Sequence, residues 1–208
     1  MEKIFLIDAI APFFKGYQKR RINWSKIPYA HLKTEGSDAE QQWSEIEAES
    51  LSFGKRVAAI GYNAVTLDDL AHLSVHPKFE PKVQERNQRL GGRMRRVMAL
   101  HREQGLEVYL TSDVIFTSPV IDALLGESRE ELEEWYEEVI AMFFADFPEV
   151  SGLVLRIGES DGLDVSDVWG RISSLLCVCG YSAVSQRDLD FWECIVRGDG
   201  EWFDYSEL

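Results

Sequence analysis

The strongest constraint on the fold of this chain is a short unit that it repeats. An apolar run with strand character ends in an acidic residue, and the next such run follows an amphipathic helix and a short break. Residues 3–7 end in Asp8, residues 63–67 in Asp68-Asp69, residues 107–111 in Ser112-Asp113, and residues 153–157 in Gly158-Glu159. Helices are expected at 44–60, closed by Gly61, at 93–104, closed by Gly105, and at 128–147, stopped by Pro148. The last is the clearest. Ser128-Arg129-Glu130-Glu131 has the form of a capping box, and Leu132, Trp135, Tyr136, Val139, Ile140, Phe143, Phe144 and Phe147 recur at three- and four-residue spacing.

Strands apolar on both faces that alternate with helices imply a parallel sheet with covered faces. In such a sheet every strand ends on the same edge, so Asp8, Asp68, Asp113 and Glu159 are expected to converge there. The last three lie about 45 residues apart, the length of one β/α unit with generous loops. In a (β/α)8 barrel this edge holds the active site, and in an open doubly wound sheet ligands also bind beyond it. No glycine-rich phosphate loop follows the first strand; Gly91-Gly92-Arg93 reads as opening a helix but follows no strand. The expected fold is therefore α/β, with parallel (β/α) units of the TIM-barrel type. Only four units are visible, about half a barrel, over residues 1–165. After Asp167 the pattern breaks. Residues 166–208 are expected to form an atypical tail, with strands at 191–196 and 201–205 around Arg197-Gly198-Asp199-Gly200 as a hairpin.

Charge and cysteine usage narrow the function classes. The formal charge is −14, from 36 acidic and 22 basic residues, which argues against nucleic acid or an anionic membrane surface as partner. The basic clusters Lys19-Arg20-Arg21 and Arg93-Arg95-Arg96 are local, and the second reads as a solvated helix face. Three cysteines, Cys177, Cys179 and Cys194, form no disulfide framework, so reduced thiols and a cytoplasmic setting are expected. Cys177 and Cys179 with no nearby His make a poor metal site, and Asp161, Asp164 and Asp167 at intervals of three do not follow a calcium-loop pattern. No cofactor or metal is expected. No apolar stretch approaches the roughly 18 residues of a membrane span, and no signal peptide is evident.

The loop after Asp8 is about 35 residues long, far beyond the usual two to six. It carries Phe13, Phe14, Tyr17, Trp24 and Tyr29. Phe13 and Phe14 are expected to pack the loop onto the sheet. Trp24 and Lys26, within Asn23-Trp24-Ser25-Lys26, are candidates for contact with a substrate, the indole because its flat face suits the C–H face of a sugar ring.

The stretch "GLVLRIGESDG", residues 152–162, resembles the fourth-strand segment of α-glucuronidase-like glycoside hydrolases, where a similar strand runs into a Glu and a glycine-rich turn. "PFFKGY", "NWSKIPYAHL" and "GYNAVTLDDLAHL" look like the opening units of large glycosyl-hydrolase-like barrels. The resemblance covers residues 1–165. It implies a (β/α)8 barrel acting on a glycosidic bond, with Glu159 in the place of the general acid. The chain departs from that family in having no evident fifth to eighth strand, from which partner carboxylates come, and in its tail.

Glycoside hydrolysis uses a protonated carboxyl that donates to the leaving oxygen and an ionised one that activates water or attacks carbon. A Glu at the mouth of an apolar strand is partly desolvated, which raises its pKa and suits Glu159 to the acid role; Gly158 and Gly162 leave room for substrate. Asp8, Asp68, Asp113 and Asp161 are candidate acceptors for sugar hydroxyls. Arg156 either holds a sugar carboxylate or pairs with Asp113 or Asp68. Asp69 reads better as the cap of the turn 70–73, His101 as structural, and His72 as a residue that could approach the site. No nucleophile elbow supports a serine hydrolase. Two readings follow: a glycosidase, or part of one, with Glu159 as acid, and a non-catalytic carbohydrate-binding or assembly module. Unpaired first and fourth strands at the sheet edges would also favour a homodimer.

Overall fold

The computed structural model describes residues 4–18, 26–113, 129–156 and 193–197. Four strands, β1 (Leu6–Asp8), β2 (Ala64–Asp68), β3 (Glu107–Asp113) and β4 (Gly152–Arg156), are parallel and lie side by side in chain order. A fifth, β5 (Glu193–Arg197), adds antiparallel to β4. Helices α1 (Ser37–Ala59), α3 (Pro81–Arg102) and α4 (Arg129–Asp146) connect the parallel strands, and a single-turn helix α2 (Leu70–Leu73) follows β2 directly.

The three long helices pack on one face of the sheet. Val65 and Leu67 of β2, Val108 and Leu110 of β3 and Leu153 of β4 share one core with Trp43 and Ile46 of α1, Leu90, Met94 and Val97 of α3, and Trp135, Val139 and Phe143 of α4. The alternate strand residues Ala64, Tyr109 and Val154 form a separate small cluster, with Ile4 and Leu6 against it. Side chains alternate across a strand, so two clusters on alternate residues are the two faces of one sheet. A doubly wound sheet carries helices on both faces and a barrel on its outer face only. Among the described residues helices cover one face only, and the arrangement is that of a partial α/β barrel.

Loops and helix ends follow the expected chemistry. Gly61 and Gly105 take positive φ, 103° and 78°, at the exits of α1 and α3. At the second exit the Leu106 amide donates back to the His101 carbonyl at 3.2 Å. The α3 helix begins at Pro81, twelve residues before the expected start at 93, and runs through Gly91-Gly92. The glycine pair is thus no helix opening. A Cβ on Gly91 would lie 2.9 Å from Cζ of Phe147, so this glycine lets the end of α4 approach α3, whereas Gly92 faces open space. The α3 arginines also differ from a plain solvated face. Arg93 and Arg96 pair with Glu40 and Glu47 of α1, and the Arg95 guanidinium lies 4.5 Å from the centre of the Phe147 ring. They fasten neighbouring helices together.

The open edge expected at the fourth strand is absent. Register pairs run from Gly152 with Arg197 to Arg156 with Glu193. An antiparallel neighbour ends the parallel series where a fifth β/α unit would begin. The expected second hairpin strand at 201–205 and the capping Ser128 lie outside the described residues.

Candidate functional site

The parallel register places the strand-end carboxylates on one edge but not at one height. Asp8 pairs with Thr66, Asp68 with Thr111, and Asp113 with Arg156. Each successive Asp therefore sits one strand over and two residues further along. With a rise of about 3.3 Å per residue and about 4.8 Å between strands, neighbouring Asp backbones lie roughly 8 Å apart. The backbones of Asp8 and Asp113 lie roughly 16 Å apart by the same spacing. Asp8 and Asp68 share the strand parity of Leu6 and Ala64, on the face opposite the three long helices.

At the lower end of the row, Asp8 is the accessible carboxylate, with a side chain 44 % exposed. It accepts from the Thr66 hydroxyl on the adjacent strand, and Lys26 Nζ stands 3.4 Å from both of its oxygens. Asp68, in contrast, is fully buried. Its Oδ2 accepts from the Lys26 backbone amide at 2.6 Å. The long first loop is thus fixed to two strand ends by one residue, through its side chain to Asp8 and its backbone to Asp68. Lys26, expected as a ligand contact, meets the site by organising its carboxylates.

Tyr29 completes the anchor from the loop. Its buried hydroxyl donates to the Asp68 carbonyl and accepts from the Asp69 amide at 3.0 Å, bridging a peptide bond that is cis. Burial, with the nearby Asp69 and Asp68 charges, holds the phenol well above the ordinary tyrosine range, so it stays a neutral donor. The ring stacks on His72 with centroids 4.2 Å apart and planes 3° from parallel. Asp69 caps α2 as expected, accepting from the His72 amide at 2.9 Å, and the same Oδ1 meets His72 Nδ1 at 2.8 Å. Sequence reasoning places Tyr29 only among the loop aromatics. Its fixed contact with the Asp68-Asp69 step depends on a fold-back of the loop that no local pattern records.

Phe13 packs in the core edge-on to Trp43, as expected, but Phe14 does not follow it: 40 % of its surface is exposed, and it meets Tyr17 edge-on. Asp113 and Arg156 form a register pair at the upper end of the row. Trp24, Glu159 and Asp161 lie outside the described residues, as do Cys177 and Cys179. Among the described residues, no group of three or more His, Cys, Asp or Glu side chains could hold a metal ion. None of the described helices is long and apolar enough to cross a membrane.

No family model matches the chain, and no curated protein does. Four solved chains match it. One is a GH138 enzyme targeting pectin rhamnogalacturonan II, with a TM-score of 0.51 and 12 % sequence identity over 84 % of this chain. The match covers 26 % of that enzyme, so the chain spans about a quarter of its length. At this identity the likeness is one of fold. The match is to part of a glycoside hydrolase and does not single out the α-glucuronidases.

Proposed function

We propose that the chain acts on carbohydrate, as a glycosidase or the part of one that carries the general acid. The ligand lies along the diagonal row at the carboxyl edge, and Glu159 donates a proton to the leaving oxygen. The observation that carries this reading is the pairing of an accessible carboxylate, Asp8, with a buried one, Asp68, on adjacent parallel strands, both tied to the long loop by Lys26. A sugar presents vicinal hydroxyls, and Asp8, exposed and held by fixed donors, is a preorganised acceptor for them, while the buried Asp68 holds the loop that frames it. Glu159 follows the last residue of β4 by three positions in the sequence. An α-glucuronidase-type substrate, with Arg156 holding the sugar carboxylate, is the finer form of the proposal; uronic-acid oligosaccharides of pectic type are the first ligands to try.

The antiparallel β5 supports the second reading, a carbohydrate-binding module that does not cleave. It occupies the edge on which later β/α units, with their carboxylates, would add. Calorimetric titration with pectic oligosaccharides, coupled to a reducing-end assay, separates the two. Turnover that disappears in Glu159→Gln while binding persists supports the glycosidase. Saturable binding without turnover by the unaltered chain supports the module, and no binding to any sugar defeats both.

A further inference from the structure

The neighbourhood of Asp68 holds a second device that the carboxylate row does not use. His72 is a third exposed, in α2 immediately beyond the end of β2. Its Nδ1 faces Asp69 Oδ1 at 2.8 Å, and its ring lies flat on Tyr29. A carboxylate accepts and cannot donate, so the neutral ring carries its proton on Nδ1 and a lone pair on Nε2. Asp69 is itself fixed, because the same oxygen caps the helix through the His72 amide. Tyr29 is fixed by both of its bonds to the Asp68-Asp69 step. The imidazole thus has its tautomer set by one neighbour and its plane set by another, while Nε2 has no hydrogen-bond partner among the described residues.

The other three histidines are placed differently. His76 Nε2 meets Glu138 and its Nδ1 accepts from the Lys78 amide, so both nitrogens are engaged. His101 is fully buried, and His31 Nε2 meets the Lys15 carbonyl. Of the four, His72 alone combines an orienting carboxylate with a partly exposed ring whose second nitrogen no described residue engages. That combination is how proteins prepare an imidazole to meet something outside the protein.

We propose that His72 is a ligand-contacting residue whose Nε2 accepts a hydrogen bond from a sugar hydroxyl at the carboxyl edge, with Asp69 and Tyr29 as its positioning residues. This rests on the carbohydrate reading above. It extends the site from the strand ends onto α2 and gives it a neutral acceptor beside its carboxylates.

The test uses the full chain labelled with 15N in histidine, at pH 8, with galacturonic acid oligosaccharides as the probe. Without ligand, long-range proton–nitrogen correlations should show His72 protonated on Nδ1 with Nε2 unprotonated. On binding, the Nε2 resonance should move upfield while those of His76 and His101 stay in place. His72→Phe keeps a flat ring for Tyr29 and removes both nitrogens. It should weaken binding by about tenfold, the loss of one well-made hydrogen bond to an oriented acceptor; because it also removes the Nδ1 bond to Asp69 and lowers the thermal midpoint, binding is read well below that midpoint, where circular dichroism shows the variant folded. Binding that leaves the His72 nitrogens unmoved, or that is equally tight in His72→Phe, overturns the role of His72 and leaves the carbohydrate reading standing. No binding by the unaltered chain overturns both together.

Discussion

His101 gives the chain a measurable sensitivity to acid. The residue lies in the last turn of α3, fully buried, with neither ring nitrogen hydrogen-bonded to any described residue. Phe53 meets the ring edge-on, and a Cβ on Gly54 would come within 3.0 Å of Nδ1. A helix C-terminus favours an imidazolium, but burial dominates and lowers the pKa to about 4 from an ordinary value of 6.5. The unfolded chain therefore binds a proton at a higher pH than the folded one does. Stability from this group is complete above pH 7.5, falls as pH drops through 6.5, and stops falling below about 4. At pH 5 the difference amounts to about 2 kcal/mol, and at pH 7.5 it is close to zero. The perturbation is His101→Leu, which is close in volume and does not titrate. Urea unfolding of both proteins at pH 7.5, 6, 5 and 4.5 supplies the comparison. The carboxylates titrate in both, so their contribution cancels in the difference. The unaltered protein should lose about 2 kcal/mol more than the variant between pH 7.5 and pH 5. Parallel loss in the two proteins would refute the argument, because it would mean that the imidazole charges as readily folded as unfolded.

Adjacent glycines in α3 should respond with opposite sign. Gly91→Ala drives a Cβ into Phe147 and should cost about 1–3 kcal/mol, whereas Gly92→Ala meets nothing and should gain up to about 1 kcal/mol in urea unfolding. Tyr29→Phe leaves the Asp68 carbonyl and the Asp69 amide without their bridge, and should cost about 1–3 kcal/mol. An unchanged unfolding midpoint would show that water replaces the phenol there. Lys26→Met should change stability by less than about 1 kcal/mol, since its side-chain pair with Asp8 is partly exposed, and a larger loss would mean that this pair, and not the Lys26 backbone, fixes the loop. Diethyl pyrocarbonate at pH 7 should acylate His72 and leave His76 and His101 intact, as read by peptide mass spectrometry; early modification of His101 would contradict its burial.

The amino-acid sequence determined the repeating unit, and with it most of the architecture. Apolar runs such as 107–111 are legible because each residue meets either the helix layer or the opposite face, so strand interiors favour apolar side chains until the strand ends. The α4 stripe from Trp135 to Phe147 is legible because one helix face must meet one core. Asp69 as a cap and Gly105 as a left-handed exit are legible because both are local, closing hydrogen bonds within a few residues. The tertiary structure alone decided the rest, wherever the partner is distant in sequence. It set the two-residue step between Asp8, Asp68 and Asp113, which depends on strand register. It buried Asp68 and left Asp8 accessible, because Lys26 and Tyr29 fold back across more than 35 residues to reach β2. It placed the three long helices on one face, and it showed that Gly91 serves Phe147 rather than a helix start. Local hydrogen bonds and periodicity are written in neighbouring residues. Register, burial and the meeting of distant side chains are properties of the packed chain, and no short stretch of sequence carries them.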